Sequence, residues 1–322
     1  MRVLSLFDGM ACGMIAMQTA GVEVERYDAY EIDEYAIKAA NHNFPNIYQH
    51  GDVFNADFAN YAGNVDFLIG GSPCTYWSIA QSKNRETEAS GIGWELFSQY
   101  VRALQEAKPK FFIYENNKSM SKAIRESIDK AFGFEAVCIN SALVSAQNRQ
   151  RLYWVGKRNE DGTYSKVDIL QPNDRKIALR DIVENTMGAE GAEPLTTCDG
   201  KAYALTTKCA NATPKDTITR HRHTMIAERV CANAANSVRK PIYEVQHGMI
   251  TINQEKYPVD LCDGFYNIRK LTVRECMKLQ TVPEWYDFSV ISNTRAYICL
   301  GNGWTIEVIA HLIRSCLKTE VE

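Results

Sequence analysis

The residue best placed for chemistry is Cys74, which ends the run Phe67-Leu68-Ile69-Gly70-Gly71-Ser72-Pro73-Cys74. The run reads as a buried strand leading into two glycines, which admit a tight turn, and a proline, which fixes the backbone just before the cysteine. A thiol delivered on a stiff turn at a strand end is presented to a ligand; the alternative is a packed thiol, a common fate of free cysteine. Glu115, in Glu115-Asn116-Asn117, puts a carboxylate at the end of a second apolar strand over 110–114. In Gln147-Asn148-Arg149-Gln150-Arg151, strand alternation places Arg149 and Arg151 on one face. Two guanidiniums on one face are either a solvated edge or, near a carboxylate and a thiol, a clamp for an anion or a carbonyl.

A second constellation lies upstream. Asp8-Gly9-Met10-Ala11-Cys12-Gly13 follows an apolar strand over 2–7 and precedes a helix reaching about residue 21. Strand, glycine turn and helix form the opening unit of a doubly wound sheet, in which a ligand approaches the backbone and the helix N-terminus. Glu31 ends the next strand, 26–32, where a carboxylate can accept hydrogen bonds from ribose hydroxyls. Asp52, in Gly51-Asp52-Val53, ends a third and can hold the exocyclic amine of an adenine. The alternatives are a solvated strand end for Glu31 and a helix cap for Asp52, but three successive strand ends carrying a glycine turn, an acid and an acid make a nucleoside site.

The elements that position these residues alternate strand and helix. Helices are predicted over 34–43, 94–108, 119–132, 272–280 and 305–317, and further strands over 47–49 and 135–139. This pattern gives an α/β fold with the carboxyl edge of its sheet as the binding edge. Residues 75–93, with Trp77, Ser78 and the charged stretch Lys83 to Glu88, are polar and long for a connection, as lids and binding loops are. From 157 to about 268 the chain is polar and turn-rich, with an echo of Leu195-Thr196-Thr197 in Leu205-Thr206-Thr207. That stretch reads as a smaller, mostly β or irregular domain. Its basic segment holds Arg220, His221, Arg222, His223 and Arg229, suited to phosphate contacts. The glycine turn Leu300-Gly301-Asn302-Gly303-Trp304 leads into the last helix, which is expected to pack back on the first sheet.

Composition narrows the class. A chain of 322 residues accommodates one large domain and a smaller one. No run approaches the ~18 apolar residues of a membrane span, and the first apolar stretch is too short for a signal peptide, so a cytoplasmic protein is expected. The 10 cysteines show no Cys-x-x-Cys and no Cys/His cluster at zinc spacing, which argues for free thiols and against a structural metal. A net charge of −3 neither announces nor excludes a nucleic-acid binder, because the location of the positive charge decides that.

Taken together, six segments resemble the cytosine-C5 DNA methyltransferase family. Phe7-Asp8-Gly9 with Gly13 resembles its cofactor loop, Gly71-Ser72-Pro73-Cys74 its catalytic loop, and Glu115-Asn116 its Glu-Asn pair. Gln147-Asn148-Arg149-Gln150-Arg151 is similar to its Gln-x-Arg-x-Arg strand. Arg269-x-Leu271-Thr272-x-x-Glu275-x-x-x-Leu279-Gln280-x-x-Pro283 resembles the helix supporting the recognition domain, and Gly301-Asn302 the closing cofactor motif. Ser72 stands for the commoner first proline, Thr75 for glutamine, Asn117 for valine, and Thr281-Val282 for Gly-Phe. The serine form and the Trp304 segment are more like the animal de novo branch and bacteriophage members.

The resemblance implies a class I S-adenosyl-L-methionine-dependent methyltransferase: a doubly wound, mostly parallel sheet over 1–158, completed by 286–322, with a target-recognition domain and its supporting helix over 159–285. It implies catalytic roles for Cys74, Glu115, Arg149 and Arg151, with Arg149 bracing the cysteine loop. It implies cofactor contacts from Phe7, Asp8, Gly9, Gly13, Glu31, Ile32, Asp52, Val53, Pro73, Asn302 and Trp304. Double-stranded DNA is the implied partner, contacted by Trp77 or Ser78, which would fill the gap left by a flipped base, and by Arg220 and Arg222. A cognate restriction endonuclease would be a separate chain. Rival readings are an amino-methyltransferase with a Ser-Pro-Pro-aromatic loop, which needs no thiol, an RNA cytosine methyltransferase, and an inactive binding module.

Overall fold

The computed structural model describes residues 1–79, 85–184, 191–196, 199–230 and 241–319. Alternation along the strands builds its center. Strand β1 (Arg2–Leu6) sends Val3 into one core and Leu4 and Leu6 into another. β4 (Phe67–Gly70) divides Phe67 and Ile69 from Leu68, and β5 (Phe111–Asn117) divides Phe111 and Ile113 from Phe112 and Tyr114. A strand apolar on both faces must be covered on both, which defines a doubly wound sheet. Helices α1 (Cys12–Thr19), α2 (Glu34–Asn43) and α8 (Ile306–Lys318) cover the first face; α3 (Gly91–Ala107) and α4 (Lys122–Phe132) cover the second.

Local chemistry sets the helix ends. Asp33 caps α2 by accepting the N–H groups of Tyr35 and Ala36, and Ser121 caps α4 through Ile124 N–H. Gly133 closes α4 in the left-handed conformation. The sheet is completed by β2 (Arg26–Tyr30), β3 (Tyr48–Gln49), β6 (Val137–Asn140), β8 (Gln150–Arg158) and β9 (Tyr164–Lys166), in the order β3-β2-β1-β4-β5-β8-β6 with β9 beside β8. β8 runs antiparallel to both β5 and β6 and the strands from β3 to β5 are parallel, so the sheet is mostly parallel.

A second, antiparallel sheet of six strands lies in the middle of the chain. Its order is β10 (Gly191–Leu195), β12 (Met225–Val230), β16 (Gly264–Lys270), β13 (Ile242–Gln246), β14 (Met249–Ile252) and β15 (Glu255–Pro258). It has its own core, with Met225, Val245, Ile250 and Tyr266, and carries the short helix α5 (Pro214–Arg220). Other parts of the middle segment pack elsewhere: Val167, Leu179, Ala202 and Leu205 lie in the first core, as do Leu279, Val282, Tyr286 and Phe288. Helix α6 (Val273–Leu279) therefore belongs to the large domain's packing.

Three features join the halves. β7 (Gln147–Asn148) pairs with β11 (Ala202–Tyr203). Arg269 on β16 donates two hydrogen bonds, at 2.8 and 2.9 Å, to Glu275 of the capping box Thr272–Glu275 that starts α6, and a third to Glu228 of β12. Helix α7 (Asn293–Asn302) lies against residues 207–211, and this helix was not expected. The turn after α6 is unusual: Thr281 adopts a φ of 52°, a costly conformation for a β-branched residue. Its hydroxyl accepts the Glu307 N–H at 2.9 Å and so caps α8, which offsets the strain. The most apolar stretch, Asn293–Lys318, is thus a pair of helices packed largely inside the protein.

Gly301 permits the contact between α7 and the middle segment. A Cβ there would lie 2.4 Å from the carbonyl carbon of Thr206 and 2.5 Å from the nitrogen of Thr207, both backbone atoms unable to rotate away. This overpacking outweighs the ~1 kcal/mol by which a helix prefers alanine to glycine. Gly301→Ala is expected to lower unfolding free energy by at least about 1 kcal/mol. Gly191→Ala, where an added Cβ meets nothing within 4 Å, should change it little. Urea denaturation of both variants checks this.

Candidate active site

The ends of β1, β2, β4 and β5 share one edge and carry the sequence-selected residues. Glu115, near the end of β5, is 9% exposed, and both of its oxygens are engaged. Oε1 lies 3.0 Å from Arg151 Nε, and Oε2 accepts the Trp304 indole N–H at 3.0 Å. The antiparallel pairing of β5 with β8 brings Arg151 opposite Asn117, within reach of Glu115. The clamp expected of the arginine pair is therefore formed by Arg151 and Trp304.

Behind the cysteine, Ser72 is buried and its hydroxyl meets the Tyr114 hydroxyl at 2.7 Å. Asn116 donates to the Ser72 carbonyl at 3.1 Å and to Tyr114 Oη at 3.2 Å. The serine that replaces a ring thus fastens the loop through hydrogen bonds. Ahead of it Pro73 is exposed and Cys74 half-buried. Burial pushes the Cys74 thiol above its ordinary range, Arg151 pulls it down, Glu115 pushes it up, and Arg149 pulls it down again. Thiol, carboxylate and both guanidiniums therefore form one electrostatic group.

Arg149 does not brace the cysteine loop as expected. It is 4% exposed and donates to carbonyls only: Leu205 at 2.8 Å, Gly301 at 3.3 Å and Gly303 at 2.9 Å. Burial and the neighboring Arg151 pull its guanidinium down to about 10. Gln280 works beside it, donating to the carbonyls of Leu300 at 2.7 Å and Gly303 at 3.0 Å and accepting from Gln147 at 2.8 Å. Arg149 and Gln280 together hold the turn that carries Trp304.

Next to this group is a cleft lined by Phe7, Asp8, Gly9, Glu31, Asp33, Pro73, Thr75, Asn302 and Trp304, among others. Gly9, at φ 61°, turns its N–H onto Glu31 Oε2 at 2.7 Å, while Glu31 Oε1 accepts from Ile32 and Asp33. Asp8 is buried, which pushes its carboxyl up to about 6 against the pull of the Ser5 and Tyr27 hydroxyls on Oδ1. Its Oδ2 has no partner among the described residues. Among the described residues, the lining holds three carboxylates, Asp8, Glu31 and Asp33, and no lysine, arginine or histidine. Such a cleft repels a pyrophosphate and suits a nucleoside that carries positive charge.

Several residues expected to make contacts do not line this cleft. Gly13 is a packing glycine: a Cβ there would lie 2.2 Å from Ile69 Cδ1 and 2.5 Å from Tyr27 Oη, so it lets α1 rest on the sheet. Asp52 caps the turn Val53–Asn55 through Phe54 N–H at 3.0 Å, and Val53 is buried. Ile32 is 74% exposed just past Glu31; none of these three lines the cleft. Trp77 is fully buried among the side chains of the second core and its indole donates to Glu86 at 3.0 Å, so it anchors the loop instead of reaching out of it. Ser78 follows it, half-buried, with its N–H on the Cys74 carbonyl. Among the described residues of this segment, Ile79 and Ile92 are exposed apolar side chains that the sequence reading passed over. Arg220 and Arg222 are exposed on the middle domain, Arg220 paired with Asp216 at 3.0 Å. Lys83 and Thr197 lie outside the described residues.

An open, mostly parallel sheet with an acidic, aromatic-walled cleft at its carboxyl edge defines a class I methyltransferase. Solved structures share the fold: *S. pombe* Dnmt2 methyltransferase has a TM-score of 0.65 at 13% identity and 99% coverage of both chains. *Entamoeba histolytica* methyltransferase EhMeth has 0.66 at 14% identity, covering 100% of this chain and 99% of that one. The model of the C-5 cytosine-specific DNA methylase family matches residues 1–318, and the chain belongs to that family. The orphan methyltransferase M.SPRI of Bacillus phage SPR is 33% identical over 201 residues, covering 56% of this chain and 45% of that protein, so this match spans less than half of the phage protein's length. The type II methyltransferase M.FnuDI of *Fusobacterium nucleatum* is 27% identical over 350 residues, covering 99% and 94%.

The charge balance around Cys74 is testable. Arg151 favors the thiolate, so Arg151→Gln should raise the pH at which Cys74 is half-alkylated by iodoacetamide, read by mass spectrometry of its peptide. A midpoint that stays in place or falls would show that the guanidinium charge does not reach the sulfur.

Proposed function

We propose that the chain is a DNA (cytosine-5-)-methyltransferase. The observation that carries this reading is the shared edge: Cys74 on the turn after β4 and the Arg151–Glu115 ion pair at the end of β5, beside a cleft whose charged side chains, among the described residues, are all acidic. Bound in the cleft, S-adenosyl-L-methionine would supply an electrophilic methyl group on a sulfonium. Glu31 is suited to the ribose, Phe7 and Trp304 to the walls, and Asn302 to the far rim.

Cytosine C5 is not nucleophilic until something adds to C6. In this proposal the Cys74 thiolate forms a bond to C6, and the electron pair displaced from the ring makes C5 an enamine carbon. Glu115, in its protonated form, donates to ring N3 and reads the exocyclic amine, while Arg151 holds the O2 carbonyl. C5 would take the methyl group as its bond to the sulfonium sulfur breaks, with S-adenosyl-L-homocysteine as the product; the C5 proton then leaves to water and the C6–S bond breaks, returning Cys74 as the thiolate. Arg149 acts at a distance by fixing the turn of residues 301–304.

The target atom cannot be reached inside a duplex, so the base must swing out at a cost of a few kcal/mol. Ile79, exposed and apolar five residues past the thiol, is better suited than Trp77 to enter the space it leaves. Arg220 and Arg222 would meet phosphates, and the antiparallel sheet of the middle domain would carry the sequence readout. The type II relatives support a place in restriction and modification, with the nuclease a separate chain; the phage relative supports a solitary role.

Bisulfite sequencing of DNA from cells expressing the protein is expected to show protected cytosines in one sequence context. Cys74→Ser should abolish them, and Glu115→Gln should slow methyl transfer by about 10²–10⁴-fold. The wild type, but not Cys74→Ser, should become trapped on DNA containing 5-fluorocytosine, whose C5 substituent cannot leave as a proton. Unprotected DNA together with methyl transfer to tRNA would assign the same chemistry to RNA. Activity that survives loss of the thiol would favor an amino-methyltransferase.

A further inference from the structure

Trp304 occupies two sites at once. Its side chain helps wall the acidic cleft, and its indole nitrogen lies 3.0 Å from Glu115 Oε2. An indole N–H is a donor only, so this contact cannot reverse as the carboxyl gains or loses a proton elsewhere. Arg151 holds the other oxygen, Oε1, at 3.0 Å. The carboxyl group is thus gripped by one donor on each oxygen, which fixes its rotation.

The surroundings leave the indole little freedom. Gly71 faces the contact: a Cβ there would lie 2.9 Å from Glu115 Oε2 and 3.5 Å from Trp304 Nε1, so the meeting depends on that position having no side chain. The carbonyl that precedes Trp304, of Gly303, is held by Arg149 at 2.9 Å and Gln280 at 3.0 Å. A ring anchored this tightly does more than close a cleft.

We propose that Trp304 is a positioning residue for Glu115, holding through its indole N–H the carboxyl rotation that meets the flipped cytosine. This rests on the proposed methyltransferase reading. Loss of the N–H frees Oε2, and the carboxyl group can then turn toward the remaining guanidinium nitrogens of Arg151, away from the base.

The test is a double-mutant cycle of Trp304→Phe and Glu115→Gln, using single-turnover methyl transfer to DNA and equilibrium dialysis of S-adenosylmethionine. Phenylalanine keeps an aromatic wall, smaller than the indole, and removes the donor. Trp304→Phe alone should bind the cofactor within about threefold of wild type and transfer methyl about tenfold more slowly, the scale of one buried hydrogen bond left unmade. In the Glu115→Gln background the same change should cost less than about twofold, because the acid function it positions is already gone. Retained cofactor affinity also shows that the variant has folded. An equal loss in both backgrounds, or a loss of cofactor affinity matching the loss of rate, overturns the positioning role and leaves the methyltransferase reading standing. A wild-type protein that leaves DNA unmethylated overturns that reading and this inference with it.

Discussion

A buried guanidinium with no ion-paired carboxylate among the described residues governs the architecture of the site. Removing a charge from water is costly, and the hydrogen bonds that offset this cost for Arg149 go to the carbonyls of Leu205, Gly301 and Gly303. Those groups come from the middle segment and from the end of α7, so the arginine is satisfied only when distant parts of the chain have met. The buried amides of Gln147 and Gln280 tighten the same junction, and Thr305 joins by donating to Gln280 at 2.9 Å. Assembly of the cofactor-side turn and docking of the middle segment are therefore one event.

The reactive groups inherit their order from this junction. The turn that Arg149 holds presents Trp304, Trp304 meets Glu115, and Glu115 meets Arg151. On the other side, Tyr114 and Asn116, neighbors of Glu115 on the same strand, fasten Ser72 and so the thiol loop. A single strand, β5, thus organizes both the acid and the nucleophile, one through its own side chain and the other through hydrogen bonds.

Much of this was legible in the sequence, for identifiable reasons. Runs such as 67–70 and 111–114 are apolar on both faces, which announces central strands, and Cys74, Glu115 and Arg151 stand at their ends or on the paired strand. What could not be read depends on partners far away in sequence. Trp77 looked like a loop residue because its neighbors are polar; its burial comes from packing against α3 and its bond to Glu86. Gly13 looked like part of a ligand turn, yet its need for glycine arises from Ile69 and Tyr27 across the sheet. Helix α7 was hidden because Gly301 and Gly303 suggested a turn, whereas Gly301 lies within the helix to admit a neighboring backbone. The insertion of β8 between β5 and β6 leaves no local signal at all.

The close approach of Gly301 to the backbone at Thr206 and Thr207 bears on how specificity can diversify. Residues 202–211 lie between elements of the antiparallel sheet in chain order, but their contacts belong to the catalytic half: β11 extends β7, and Leu205 serves Arg149. Natural recombination or deliberate grafting that exchanged the whole middle segment as one cassette would carry this strap away with it. Exchange is compatible with an intact nucleophile site only at seams that leave the strap in place, so the portable unit is the sheet from β12 to β16.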